Sequence, residues 1–211
     1  MPRDLFWPAL AGLGFAYLIG AIPMGFLVAR AFGGLDIRRA GSGNIGATNV
    51  LRTLGKLPAV VTLAGDIAKG YVAVTAARAL VADPWGAAAG TVLAVVGNCW
   101  PVFLRFRGGK GVGTGFGAFL ALAPWATAPA ALVWLVVVGS FRYVSLASVM
   151  ACLCLPLGVA LLGFWWGSVD RWESVGAAVA TAIIIISRHR ANLARLAAGR
   201  EPRLGERASP A

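Results

Sequence analysis

The chain has 211 residues, 59% of them hydrophobic and only 13% charged, with a formal net charge of +11 and a mean hydropathy of +0.78. Soluble domains carry roughly 25% charged residues, so this composition excludes an ordinary water-soluble globular domain. Nor does the basic excess indicate nucleic acid: fifteen of the nineteen Lys and Arg residues lie in four regions between apolar runs, 30–56, 105–110, 142 and 188–207.

Six apolar runs follow one another, at 5–29, 58–82, 85–104, 112–139, 144–167 and 174–187. A bilayer-spanning helix needs about 20 mostly apolar residues, so the pattern predicts an all-α, polytopic membrane protein. The first run is too long, and too poor in amino-terminal positive charge, for a cleaved signal peptide; it reads as a helix. The whole chain, 1–211, reads as one integral membrane domain with a basic tail from about 188. Asp66 and Lys69, three apart inside the second run, read as a structural ion pair, since ionisable groups in a membrane are costly unless paired. Cys99, Cys152 and Cys154 all lie in apolar segments and read as small packing residues. With a single histidine, no Cys/His cluster has metal-ligand spacing, and no metal site is expected.

Charge sets the topology. Lys and Arg collect in cytoplasmic loops, which puts the four basic regions on one side. Counting six single crossings from an outside amino terminus breaks that rule after run 112–139. The conflict disappears if this run enters and returns. Two prolines, Pro124 and Pro129, stand in its middle, and each half is short for a span. The expectation is a helical hairpin there and about seven transmembrane or re-entrant helices, with the amino terminus outside and the carboxyl terminus inside.

Four polar stretches then face the cytoplasm. In the first, Gly41-Ser42-Gly43-Asn44-Ile45-Gly46 has G-x-G-x-x-G spacing. A dinucleotide fold requires a strand before it; here a membrane helix and a basic loop precede, so that reading fails. Glycines still let backbone N–H groups form an anion nest. Ser42, Thr48 and Asn49 add neutral donors, and Arg52 adds a planar guanidinium suited to phosphate. The second, Arg105 to Gly115, sets Lys110 among Gly108, Gly109 and Gly111. It is not a Walker A loop, because Gly111 follows the lysine, yet it makes a phosphate clamp. The third begins the next helix and holds Ser145 and Ser148, hydroxyls that in membrane helices often bond only backbone carbonyls. The fourth runs from His189 to Glu201; if helical, it puts His189, Asn192 and Arg195 on one face.

These stretches together resemble the bacterial acyl-phosphate:glycerol-3-phosphate acyltransferase (PlsY) family over nearly the whole chain. The resemblance rests on Gly20-Ala21-Ile22-Pro23-Met24-Gly25, the 41–49 stretch with Arg52, Asp66-Ile67-Ala68-Lys69-Gly70, Pro101 to Val112, Ser145 to Ser148, and His189 to Glu201. It implies transfer of a fatty acyl group from acyl phosphate to glycerol 3-phosphate in the bacterial cytoplasmic membrane, with membrane lipid as surroundings and no cofactor. By the family's motifs, Ser42, Asn44, Thr48, Asn49 and Arg52, with Gly41, Gly43 and Gly46, position substrate and phosphate. Lys110, with Gly108, Gly109 and Gly111, holds a second phosphate. Ser145, His189, Asn192 and Glu201 complete the site. The hydroxyl proton goes either to His189 or to a substrate phosphate oxygen, the latter preferred. One departure stands out: the family usually has Gly-His before the Pro-Val-Phe-Leu segment, where this chain has Gly97-Asn98. Asparagine cannot titrate near neutral pH, so the expectation is that the histidine there is structural and that Asn98 replaces its donor. Position 194 is alanine, so the H-x-x-x-x-D signature of coenzyme A-dependent acyltransferases is absent. The competing class, a transporter of phosphorylated solutes, calls for internal repeats, which are not evident.

Overall fold

The computed structural model describes residues 3–81, 83–165 and 171–206, without the side chains of residues 3–6, 84 and 171. Ala82, the end of run 144–167, Asp170 and Arg207 lie outside the described residues. Among the described residues the regular structure is entirely helical: α1 Arg3–Gly20, α2 Met24–Gly33, α3 Ala47–Leu54, α4 Lys56–Leu80, α5 Pro84–Cys99, α6 Val112–Leu122, α7 Pro124–Phe141, α8 Val144–Trp165, α9 Arg171–Arg188 and α10 Arg190–Ala197, with short 3-10 turns at Ile37–Arg39 and Val102–Leu104. Five segments among the described residues are long and apolar enough to cross a membrane: Trp7–Gly33, Lys56–Leu80, Trp85–Leu104, Pro124–Phe141 and Val144–Trp165.

The first run is not one continuous helix. It breaks at residues 21–23, where Pro23 cannot supply the N–H that would carry α1 onward. The break leaves the Ile22 carbonyl outside any helical ladder, and the Lys69 ammonium occupies it at 2.7 Å. Run 112–139 also divides, at Ala123, and Pro124 begins α7 in the first-turn position that tolerates proline. Pro129 does not end α7; it lies inside the helix. At 11 residues α6 is about 16 Å long, too short to cross. Its start and the end of α7 both reach the carboxyl-terminal tail: Lys110 Nζ donates to Asn192 Oδ1, and Arg142 Nη2 to the Leu204 carbonyl. The run therefore leaves one face of the protein and returns to it. It does so without closing into a tight hairpin, because α6 packs mainly on α4 and α7 mainly on α8.

Small residues allow that packing. The backbones of α4 and α6 cross at two reciprocal points, Gly70 against the Thr114 carbonyl and Gly117 against the Ile67 carbonyl, where an added Cβ would collide. Lipid offers little hydrophobic drive between helices, so close van der Waals approach of this kind is what holds them. Buried Phe119 centres a cluster with Ala88, Ala126, Leu155, Val159 and Ala178, while Leu132, Leu157, Leu161 and Ile183 are largely exposed. An apolar exterior on an all-helical body is the signature of a bilayer as solvent.

Candidate active site

All four polar stretches meet on the face to which α6 and α7 return. The glycine loop before α3 is organised by Asn49, whose side chain is buried. Its Nδ2 donates to the carbonyls of Ile37, Ala40 and Asn44, and its Oδ1 accepts from the Ser42 N–H at 2.9 Å. Asn44 Oδ1 accepts from the Gly46 N–H at 2.8 Å, turning the chain into α3. Gly41 has φ +55°, and a Cβ there would strike Asn49 Oδ1, so glycine is required. Ser42 lies exposed at the outer edge of this loop, and Thr48 sits half-buried in the first turn of α3.

The second glycine loop lies beside the first: Ile45 Cγ1 is 3.5 Å from where a Cβ on Gly109 would stand. Gly111, at φ +86°, delivers the chain into α6, so Lys110 sits at a helix amino terminus, where unpaired N–H groups and the helix dipole favour anions. Arg188 clamps the loop from the end of α9, its Nε donating to the Gly109 carbonyl at 3.2 Å and its Nη2 to the Gly108 carbonyl at 3.3 Å, with the guanidinium carbon 5.4 Å from the centroid of the Trp100 ring.

A continuous polar chain joins the remaining residues. Lys110 Nζ donates to Asn192 Oδ1 at 2.6 Å, and Asn192 Nδ2 donates to Glu201 Oε1 at 2.6 Å. Ser145 Oγ donates to the same oxygen at 2.8 Å, and Arg195 Nε to Glu201 Oε2 at 2.9 Å. The two serines of α8 thus differ: Ser148 donates to its own helix, at Val144 O, while Ser145 reaches Glu201. The tail is strapped across the face. Arg52 Nη2 donates to the Pro202 carbonyl, and Leu204 pairs with Arg142 by two hydrogen bonds, Leu204 N to Arg142 O and Arg142 Nη2 to Leu204 O. Arg52 Nε is buried with no acceptor among the described residues.

Burial pushes the Lys110 ammonium down to about 8 against the pull of Glu201, and neighbouring Arg195, Arg52 and Arg188 add to the decrease. His189 is buried, and its Nδ1 lies 2.8 Å from the Ile185 carbonyl, so that nitrogen carries the proton and Nε2 presents a lone pair. Burial, then the Lys110 charge, lowers this imidazole to about 4. Burial alone would raise Glu201, but the hydrogen bonds from Asn192 and Ser145, with Arg195, outweigh it and keep the carboxyl below its ordinary range. Arg52 is lowered by burial and in part supported by Glu201.

The structure thus links Lys110, Ser145, Asn192 and Glu201 directly and sets Arg52 and His189 within reach of their charges. Arg195, read from sequence as sharing a face with His189 and Asn192, is the partner of Glu201, and two further residues not singled out belong to the arrangement: Arg188, and Arg142 as the anchor of the strap. Their signal was their place in the basic regions, which reads first as topology. Asp66 and Lys69 pair at 2.7 Å, as expected. Asn98, expected as a donor, accepts through Oδ1 from Lys69 Nζ at 2.8 Å.

A helical membrane protein with basic, glycine-rich loops gathered on one face is what fold and geometry define. Residues 10–199 match the family model described as glycerol-3-phosphate acyltransferase, and the chain belongs to that family. A glycerol-3-phosphate acyltransferase of Geobacter sulfurreducens is 46% identical over 190 residues, covering 89% of this chain and 93% of the relative. The fold is similar to a crystal structure of PlsY (YgiH), an integral membrane glycerol 3-phosphate acyltransferase, in its glycerol 3-phosphate form, with a TM-score of 0.83 and 39% identity over 93% of this chain and 96% of that one. The lysophosphatidic acid form of the same enzyme aligns with a TM-score of 0.81 and 38% identity over 93% and 95%.

Proposed function

We propose that the protein transfers a fatty acyl group from acyl phosphate to the 1-hydroxyl of glycerol 3-phosphate, giving 1-acyl-glycerol 3-phosphate and inorganic phosphate, the first acylation of phospholipid synthesis. The observation that carries this reading is the Lys110–Asn192–Glu201–Ser145 chain, set at the amino terminus of α6 beside Arg52. Both substrates carry phosphate, and the acyl donor is already activated, so the site needs to hold anions and stabilise a leaving group. It has no need of a covalent intermediate. The acceptor hydroxyl oxygen attacks the acyl carbonyl carbon, and the carbon–oxygen bond to phosphate breaks with its electron pair on the departing phosphate. Lys110, charged at neutral pH, and the N–H groups of Gly108–Gly111 meet the developing negative charge. Ser42, Asn44, Thr48 and Arg52 orient the phosphate of the acceptor, and Asn49 acts by holding their loop in shape.

The hydroxyl proton passes to a substrate phosphate oxygen. An imidazole held near 4 is a weak base, so His189 Nε2 serves better to align the hydroxyl than to remove its proton. The site faces the cytoplasm, the amino terminus lies outside, and the host membrane is the bacterial cytoplasmic (inner) membrane. Support comes from the basic regions sharing one face and from the names of the relatives.

Phosphate release from acyl phosphate by purified protein in detergent, with and without glycerol 3-phosphate, tests the reading. Release should require glycerol 3-phosphate, fall at least about a hundredfold in Lys110→Ala, and survive in His189→Ala. Acyl-coenzyme A serving as the better donor, or absence of turnover by folded wild type, would overturn it.

A further inference from the structure

Behind the 108–111 loop lies a second polar cluster, built within the helices and outside the residues assigned above. Lys69 on α4 gives its ammonium three acceptors from three parts of the fold: Asp66 Oδ1 at 2.7 Å, Asn98 Oδ1 at 2.8 Å on α5, and the Ile22 carbonyl at 2.7 Å in the break between α1 and α2. An ammonium has three protons, and here each has a partner. The cluster is buried, with Lys69 and Asn98 each 5% exposed.

It touches the glycine loop on both sides of Lys110. Upstream, the Asn98 carbonyl accepts from the Gly109 N–H at 2.9 Å, and Asn98 Nδ2 stands 3.0 Å from where a Cβ on Gly109 would be. Downstream, Asp66 Cβ is 3.1 Å from the corresponding point on Gly113, in the first turn of α6. Because the Lys69 ammonium only donates, it fixes the Asn98 amide with Oδ1 toward itself and Nδ2 toward the loop. Arg188 closes the loop from the opposite side through the carbonyls of Gly108 and Gly109.

We infer that Asp66, Lys69 and Asn98 form a positioning strut: Lys69 pins the Asn98 amide under Gly109 and so holds the Gly108–Lys110 turn in the shape that receives a substrate phosphate. This rests on the reading of that turn as a phosphate site. The requirement at position 98 is an acceptor toward Lys69 and a side chain that packs under Gly109, with no proton transfer. A neutral imidazole meets the same requirement, one ring nitrogen accepting from Lys69 while the ring lies under Gly109, so Asn98→His should keep the strut.

The test uses the full chain in detergent and three variants, Asn98→Ala, Asn98→Ser and Asn98→His. Two readouts are taken: hydrogen exchange of the 108–111 amides against those of the tail helix α10, and separate KM and kcat values for acyl phosphate and glycerol 3-phosphate. The strut requires that Asn98→Ala and Asn98→Ser speed exchange in the loop by about tenfold or more while leaving α10 unchanged. It also requires that KM for one of the two substrates rise by about fivefold or more, with a smaller change in kcat. Asn98→His should return both to within about twofold of wild type. Unchanged loop exchange in the alanine and serine variants, or lost folded yield with an unchanged KM, would overturn it. Wild type that turns over no substrate would sink the acyltransferase reading alone, and loop exchange in the same variants would still decide the strut.

Discussion

Glu201 sits where three chain segments meet, and its removal offers the most direct test of how the site is held together. Its carboxylate accepts from Asn192 and Ser145, both within the protein, and from Arg195, whose side chain is 42% exposed. Alanine would leave the buried Ser145 hydroxyl and the half-buried Asn192 amide without that acceptor, each costing about 1–3 kcal/mol at most. The exposed Arg195 pair adds at most about 1 kcal/mol. The total, about 2–7 kcal/mol, corresponds to a fall of roughly 5–25 °C in thermal midpoint for a chain of this size. Activity should fall further, because Glu201 holds Asn192, and Asn192 holds the ammonium of Lys110. Glu201→Gln keeps Oε1 as acceptor for Asn192 and Ser145 and gives up only the exposed pair, so its midpoint should move by roughly 2 °C. Tryptophan fluorescence during heating in detergent, with phosphate release measured on the same samples, reads both effects. An alanine variant within about 2 °C of wild type and fully active would refute the placement of Glu201 as the organising acceptor. A glutamine variant as damaged as alanine would show that charge, rather than hydrogen-bond geometry, does the holding.

Three other outcomes follow from the same contacts. With Lys110 lowered to about 8, kcat/KM should decline as pH rises through about 8, when the ammonium loses its proton; His189, neutral down to about 4, should contribute no limb near 6.5, so an acid limb at about 6 belongs to the substrate phosphate and should persist in His189→Ala. Ser145→Ala should lower kcat/KM by about tenfold or more in phosphate-release assays, whereas Ser148→Ala should stay within about twofold, since that hydroxyl bonds the Val144 carbonyl of its own helix and the Trp134 ring N–H, away from Glu201. Asn49→Ala removes three donated hydrogen bonds and one accepted from the 37–44 loop. It should destabilise the protein by about 2–4 kcal/mol and raise KM; a wild-type midpoint and KM would show that the loop holds itself.

What could be read without coordinates follows from the solvent. In lipid every backbone polar group must be satisfied within its own segment, so hydropathy alone marks the helices, and the positions of Lys and Arg mark their ends. Hence the helical membrane class, the return of run 112–139 to its starting face and the sharing of one face by the basic regions are all legible. The glycine motifs are legible too, because φ above zero and close approach leave few other residues possible at Gly41 and Gly111. Other features needed the packed helices. Nothing local distinguishes Ser145 from Ser148; only the tail returning 56 positions later gives one of them a carboxylate. Arg52 meets Pro202 across 150 positions, and Lys69 chooses Asn98 and the carbonyl freed by the break at Pro23, neither of which is its neighbour in sequence. Asn49 reads from sequence as a donor for substrate, yet its amide is committed to its own loop. Hydropathy and backbone geometry act over a few residues, and the sequence determines their outcome directly. The partner of a buried polar side chain depends on which helices approach closely enough to bring an acceptor within 3 Å or so, and that is decided by small-residue contacts summed over the whole tertiary structure.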